Sequence, residues 1–286
     1  MTLIREPAEI LKWLQYRLRV LFFWLAGRKN NVSPAELVRY LARPPYSVLA
    51  RSKIVTITSD EHNSIIKLRG LAAPLHYPRS LGVQSLYQVI GESLFAYNWH
   101  YYEIPETRVA PDDIVVDCGA AEGLFSLCVA ERCRQLVIIE PIPVYQQSLR
   151  ATFRNYPNVT IVRCAISDEP GSGFVTSDEI RSEMTTQRTG IATEITTIDE
   201  MFFKNQRTIT YIKADLEGYE LRLINGAAET IRQSKPKIAI TTYHEPGHAD
   251  KIQKALSRLA PGYRFKVKGI EGRVGDPVML HAWHQP

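Results

Sequence analysis

The stretch Asp113-Ile-Val-Val-Asp117-Cys-Gly-Ala-Ala-Glu-Gly123 decides how this chain folds. Its apolar, β-branched run reads as a buried strand, and the small residues after it turn the chain into a helix that opens at Gly123. At such a corner the absence of side chains on Gly119 and Gly123 lets a ligand approach the backbone where a helix presents its free N–H groups. A dinucleotide fingerprint requires a third glycine, G-x-G-x-x-G, and this loop has only two, with an acid before the first. A zwitterionic, phosphate-free ligand suits it better.

Working outward, short β-branched runs alternate with helical segments. Strands are expected at Ile114–Cys118, Leu136–Glu140, Val159–Cys164, Thr208–Asp215 and Lys237–Tyr243, with helices at Gly123–Cys133, Val144–Asn155, Leu221–Gln233 and Asp250–Leu259. Strands separated by crossover helices imply a doubly wound α/β sheet, mostly parallel, with ligands beyond the carboxyl ends of its strands. Tyr263–Lys268 and Val278–Trp283 suit an antiparallel C-terminal edge. This domain takes residues 109–286, and residues 1–108 read as an N-terminal α+β appendage. In the appendage a helix spans residues 6–27, and a second begins at Ser33-Pro34-Ala35-Glu36 with a capping box. A hairpin joins Lys53–Thr58 to Ser64–Leu68, and Val83–Tyr97 is helical again. The 6–27 helix mixes Lys12, Arg17 and Arg19 with Trp13, Phe22 and Trp24, so it either lies on a membrane surface as a peripheral contact or packs on its own domain or in a homodimer.

Three clusters carry chemistry. In the first, Asp117 is placed to take an amino group of the ligand, and Glu140, at the end of the next strand, to accept two ribose hydroxyls. The second, Ile212-Lys-Ala-Asp215-Leu-Glu217-Gly-Tyr-Glu220, sets three carboxylates at the exit of a buried strand, which is costly unless they bind something. Asp215 or Glu217 can serve as the base that removes a hydroxyl proton, or can hold a divalent ion that acidifies it. Glu220 also suits the positive start of the following helix. The third, Thr242-Tyr-His244-Glu-Pro-Gly-His248, contains the letters of a zinc-protease motif, but Pro246-Gly247 interrupts the helix that such a pair requires. His244 at a strand end is instead a second candidate base, and no metal centre is assigned.

The composition, 45% hydrophobic and 23% charged over 286 residues, is that of a folded globular chain. The net charge of +5 is scattered and makes no nucleic-acid-binding stripe. Cys118, Cys128, Cys133 and Cys164 sit in apolar runs without paired spacing and read as reduced core thiols. The opening residues lack a secretory signal pattern and no apolar run approaches membrane-spanning length, so a cytoplasmic location is expected, with peripheral contact at the inner face of the membrane if the first helix binds there.

Together these clusters resemble the FkbM family of S-adenosylmethionine-dependent methyltransferases over about residues 108–283. The matching residues are Asp117-x-Gly-Ala-x-x-Gly123, Glu140-Pro141-x-Pro143, Asn158, Ala165-Ile-Ser-Asp168, Thr197-Ile-Asp199, Ile212-Lys-x-Asp215-x-Glu-Gly-x-Glu220, Gly226-Ala227, Lys235-Pro236 and Tyr243-His244. The resemblance implies a Rossmann-like methyltransferase fold with S-adenosyl-L-methionine in the loops after the first three strands. It further implies O-methylation of a sugar, glycan, lipid-linked saccharide or other secondary metabolite; the alternatives are a cofactor-binding scaffold without turnover and a methyltransferase for a soluble non-sugar small molecule. Asp117, Gly119, Ala120, Gly123, Glu140 and Pro141 are carried over as cofactor-binding residues, with Cys164 and Ala165 beside adenine. Cys118 and Glu122 depart from the family pattern, a small or aliphatic residue and Asn. Ser177–Gly190 is expected to form a substrate-facing loop.

Overall fold

The computed structural model describes residues 7–178, 181–185 and 190–285. The leading segment holds helices α1 (Pro7–Leu25), α2 (Pro34–Ala42) and α3 (Tyr46–Lys53), an antiparallel sheet of β1 (Ile54–Ser59), β2 (Asn63–Leu68) and β3 (Leu75–Pro78), and helix α4 (Val83–Ser93). The capping box is made: Glu36 N donates to Ser33 Oγ at 3.2 Å and Ser33 N donates to Glu36 Oε2 at 2.9 Å. At the β1–β2 turn Asp60 Oδ1 accepts from the backbone N–H of His62 and of Asn63, which fixes the register of the hairpin. Strand β3 and helix α3 were not expected from the sequence: β3 is only four residues, and α3 lacks a side-chain cap. Helix α4 stops at Ser93, short of the expected Tyr97.

Then follow β4 (Ile114–Cys118), α5 (Leu124–Val129), β5 (Gln135–Ile139), α6 (Pro143–Phe153) and β6 (Val159–Val162). A small sheet comes next, from β7 (Ala165–Ile166), β8 (Gly171–Asp178), β9 (Arg181–Thr185) and β10 (Ile191–Thr196). The chain continues through β11 (Tyr211–Ala214), α7 (Glu220–Asn225), α8 (Ala228–Ser234), β12 (Lys237–Thr241), α9 (His248–Leu259), β13 (Tyr263–Lys268) and β14 (Met279–His284). Two expectations are corrected. The stretch 177–190 is not all loop: the end of β8 pairs antiparallel with β9 there, Ser177 opposite Ser182 and Asp178 opposite Arg181, while residues 179–180 and 186–189 lie outside the described residues. The single helix at 221–233 is two, α7 and α8, separated at Gly226-Ala227.

The main sheet has the order β13-β14-β12-β11-β4-β5-β6, parallel except for β14, which runs antiparallel to both neighbours. From β4 the chain winds outward through β5 to β6, then returns to the other side of β4 to lay down β11. Between β4 and β11 the winding reverses, and the loops leaving their carboxyl ends part to open a crevice. Val116, Ile138, Ile212 and Ile240 are fully enclosed, each such side chain contributing roughly 1.5–3 kcal/mol by leaving water. One apolar cluster covers the front face and runs without a break from Val20, Leu37, Ile66 and Leu86 of the leading segment to Leu124, Leu136 and Leu149 against the sheet. The second cluster, on the rear face, belongs to α7, α8 and α9.

Helix α1 packs through Val20, Trp24 and the guanidinium of Arg17, which donates to Arg43 O and stacks 3.7 Å over Trp13. Leu11, Leu14, Leu18, Phe22 and Leu25 recur along its opposite side and are exposed. Among the described residues no helix is long and apolar enough to cross a membrane. All four cysteines are free thiols.

Candidate active site

A cavity opens over the β4–β11 crevice, and four regions build it. The floor is Gly119, Ala120, Ala121 and Glu122 after β4; one side is Glu140 and Pro141 after β5 with Cys164 and Ala165 after β6. The far end is Asp215, Leu216 and Glu217 after β11 with Tyr243 after β12. The roof comes from the leading segment, through Tyr77, Gln88, Glu92, His100 and Tyr102. Sequence reasoning missed every roof residue, because none belongs to the strand–helix alternation that marks the sheet.

Two expected contacts lie off this wall. Asp117 is fully enclosed: Lys213 Nζ sits 2.9 Å from its Oδ1 and Ser126 Oγ donates to its Oδ2 at 2.7 Å. Its carboxylate neutralises a buried lysine rather than presenting itself to an amino group in the cavity. Lys213 also donates to Gly119 O at 2.6 Å, and although burial pushes its pKa down, Asp117 and Asp215 outweigh that and hold it above the usual lysine value. Gly123, at the start of α5, is required by packing: its φ is +81° and a Cβ there would meet Leu149 Cδ2 at 2.4 Å. Gly119 does line the cavity, but a Cβ on it would strike Asp215 O at 2.0 Å, so it also lets the β4 and β11 loops touch.

Glu140 and Glu122 are both nearly enclosed and face the cavity. Glu140 accepts from Ala121 N at 2.8 Å and from Ile142 N at 2.9 Å. Burial raises both carboxyls to about 7, the backbone donors only partly opposing it. Ala121 (φ 48°) and Glu217 (φ 51°) hold left-handed backbone on the cavity wall, a conformation that costs a non-glycine residue roughly 1–3 kcal/mol and gathers at functional sites.

At the far end Tyr102 Oη donates to Asp215 Oδ2 at 2.6 Å, and Thr241 Oγ1 bridges Asp215 Oδ1 and Glu220 Oε1 at 3.1 Å each. Burial works upward on Asp215, but His244, Lys213, His100 and the Tyr102 hydroxyl outweigh it and hold the carboxyl below its ordinary range. Glu220 is not merely a helix-start residue. It accepts from Leu216 N, Gly218 N and Thr241 Oγ1 and lies 2.9 Å from His244 Nδ1, which ties the β11 loop to the end of β12. His244 Nε2 stands 3.2 Å from Glu217 Oε2 and 3.7 Å from Asp215 Oδ1. Burial alone would lower His244; its bond to Glu220 and the charges of Asp215, Glu220 and Glu217 raise it instead to about 9, so the ring carries a proton at neutral pH. Helix α9 begins at His248, leaving His244 outside it, so the one-turn histidine pair of a zinc protease is not formed.

Three further motif residues hold the scaffold. Asp199 caps α8 through Glu229 N and Thr230 N, Asn158 Nδ2 donates to Ala130 O, and Lys235 ends α8 with a left-handed φ of 46°.

Sheet order, crevice and cavity together define a Rossmann-like α/β fold with its ligand cavity where the winding reverses. The methyltransferase FkbM domain matches residues 117–265, more than half of the chain, and the chain belongs to that S-adenosylmethionine-dependent family. No curated protein matches it. Among solved structures it is similar to methyltransferase FkbM from Methylobacillus flagellatus KT, with 21% identity and a TM-score of 0.49, over 87% of this chain and 60% of that one. The chain therefore spans less than two thirds of that protein's length. It is also similar to Aeropyrum pernix fibrillarin crystallised with bound S-adenosyl-L-methionine (13% identity, TM-score 0.41, 80% of this chain and 99% of that one). Precorrin-6y C5,15-methyltransferase from Geobacter metallireducens GS-15 gives 14% identity and a TM-score of 0.40, over 62% of this chain and 84% of that one.

Proposed function

We propose that this protein O-methylates a hydroxyl of a sugar, free or carried on a glycan or lipid-linked saccharide. Bound S-adenosyl-L-methionine supplies an electrophilic methyl group on a positively charged sulfur. The residues present suit that group. Each oxygen of Glu140 spends one lone pair on a backbone N–H and keeps another for the cavity it lines, a match for two neighbouring ribose hydroxyls. Glu122, buried and standing where the family pattern has Asn, gives an acidic partner for the amino group that Asp117 does not reach. Cys164 and Ala165 offer an apolar edge for the adenine.

The observation that carries the reading is Asp215, ionised at neutral pH, fixed by Tyr102 and Thr241, and open to the same cavity as Glu140. A carboxylate so held orients an acceptor hydroxyl and takes up its proton as the oxygen gains carbon, a contribution of roughly 10²–10⁴-fold. His244, already protonated, balances the charge of Asp215 and Glu217 instead of acting as the base. The rings of His100, Tyr102 and Tyr243 beside Glu92 and Gln88 combine flat apolar faces with hydrogen-bonding groups, the pairing that a polyhydroxylated acceptor calls for. The protein, incubated with methyl-labelled cofactor and fractionated cell extract, should yield a labelled O-methyl sugar on hydrolysis and mass analysis. Label appearing only on nitrogen or carbon, or no transfer at all, would exclude the proposal.

A further inference from the structure

We propose that the far end of the cavity is a divalent-cation site, with His244 Nε2 and Asp215 Oδ1 as ligands, Glu217 as the adjoining carboxylate and Glu220 as the group that aims the histidine. Asp215, Glu220 and His244 each bring one ligand-type atom within 4.8 Å of the others. The His244 side chain is 8% exposed, and its Nε2 has no hydrogen-bond partner among the described residues. A buried ring nitrogen left so, facing carboxylate oxygens at 3.2 and 3.7 Å, is held close to the spacing of neighbouring donors around one ion. With metal–ligand bonds of about 2.0–2.2 Å, adjacent donors stand roughly 3.0–3.5 Å apart.

The opposite ring nitrogen explains why Nε2 points this way. Nδ1 meets Glu220 Oε1 at 2.9 Å, and Glu220 is itself locked by Leu216 N, Gly218 N and Thr241 Oγ1. A carboxylate behind a histidine holds the Nδ1 proton and aims the far nitrogen, so an ion binding at Nε2 displaces the one proton that the ion-free ring carries there. With its oxygens committed to those donors, Glu220 serves as this outer partner. Asp215 and Glu217 side chains are 21% and 22% exposed and line the cavity, so the ion's remaining positions face the acceptor. One nitrogen with carboxylates suits Mn²⁺ or Zn²⁺. What the ion does there rests on the proposed function: an acceptor hydroxyl bound to it loses its proton more readily.

Binding itself is measured without cofactor or acceptor, so failure of this site and failure of the methyltransferase reading are separate results. Titration of the full chain with Mn²⁺, followed by electron paramagnetic resonance, should show one tight equivalent whose spectrum carries nitrogen hyperfine coupling from the imidazole. Zn²⁺ is titrated in parallel by competition with a chromophoric chelator. His244→Ala and Asp215→Asn should each weaken binding at least ~10-fold, and Glu220→Gln by about 10–100-fold through loss of the outer partner. Thermal melts establish that each variant is folded, and the hyperfine signal of the unaltered protein needs no variant. Absence of binding for both ions, bound Mn²⁺ without nitrogen coupling, or affinity that survives both His244→Ala and Asp215→Asn would overturn the site.

Discussion

Lys213→Met tests the buried centre on which both halves of the site rest. The lysine is 4% exposed and Asp117 0%, their atoms meet at 2.9 Å, and the only other side-chain donor on Asp117 is Ser126 among the described residues. Methionine keeps the length and removes the charge, so Asp117 is left enclosed and uncompensated. Breaking a buried pair from one side costs about 3–5 kcal/mol. At a urea dependence of roughly 1–3 kcal/mol per molar or somewhat more for a chain this size, the unfolding midpoint falls by on the order of 1 M or more. The double variant Asp117→Asn/Lys213→Met removes both charges and should recover at least ~2 kcal/mol, because replacing a whole buried pair by neutral groups is often nearly free. Urea unfolding at neutral pH, followed by tryptophan fluorescence and with Asp117→Asn alone as the fourth protein, gives all four corners of the cycle. A single variant within a few tenths of a molar of the unaltered protein, or a double variant no more stable than the single, would show that the pair does not hold this corner.

Two further outcomes follow from the cavity. Glu140→Ala should weaken cofactor binding in calorimetry by roughly 1–3 kcal/mol, the loss expected when a buried diol keeps no acceptor, and equal affinity would remove the ribose role. Glu122 and Glu140 are raised from 4.5 to about 7, so the folded protein keeps protons that the unfolded chain has released. The ligand-free protein should therefore be most stable near or below pH 4.5 as far as these groups decide it, and lose that stability as pH rises through about 7; affinity for the positively charged cofactor should climb over the same interval. A melting temperature and an affinity that both stay flat from pH 5 to 8 would count against the assignment. Tyr102→Phe deletes the 2.6 Å bond to Asp215 and should lower kcat by about tenfold with cofactor affinity kept, since a bond to a charged group is worth roughly 1.5–3 kcal/mol. An unchanged kcat would mean that Tyr102 does not orient the carboxylate.

The parallel sheet was legible because its strands are buried on both sides and therefore read as unbroken apolar runs, and because Gly119 and Gly123 mark the corner after the first of them. Boundaries slipped where the sequence keeps its pattern beyond the hydrogen bonds: β6 ends at Val162 although Cys164 continues the run. The split between α7 and α8 was hidden because Gly226 and Ala227 fit a helical period, while the turn there answers to packing against Ser167, a contact that local pattern does not encode. In the site, residue types and spacing located Glu140, Asp215 and His244, yet they could not give the pairing of charges. Asp117 was read as facing a ligand from its place in the loop after β4 and from the family resemblance. Its partner Lys213 lies on another strand, in register through Asp117 opposite Lys213, and only the assembled sheet puts the two side by side.

The roof of the cavity is encoded by one contiguous stretch, from Tyr77 to Tyr102, ahead of the residues that the family domain matches. Inheritance can therefore act on the two ends of the reaction separately. An insertion or exchange within that stretch reshapes what is admitted over Asp215 and leaves the winding of the sheet, and the pocket after β4 and β5, as they are. Tyr102 couples the two parts, because its hydroxyl belongs to the exchangeable stretch and the Asp215 carboxylate it holds belongs to the fixed one.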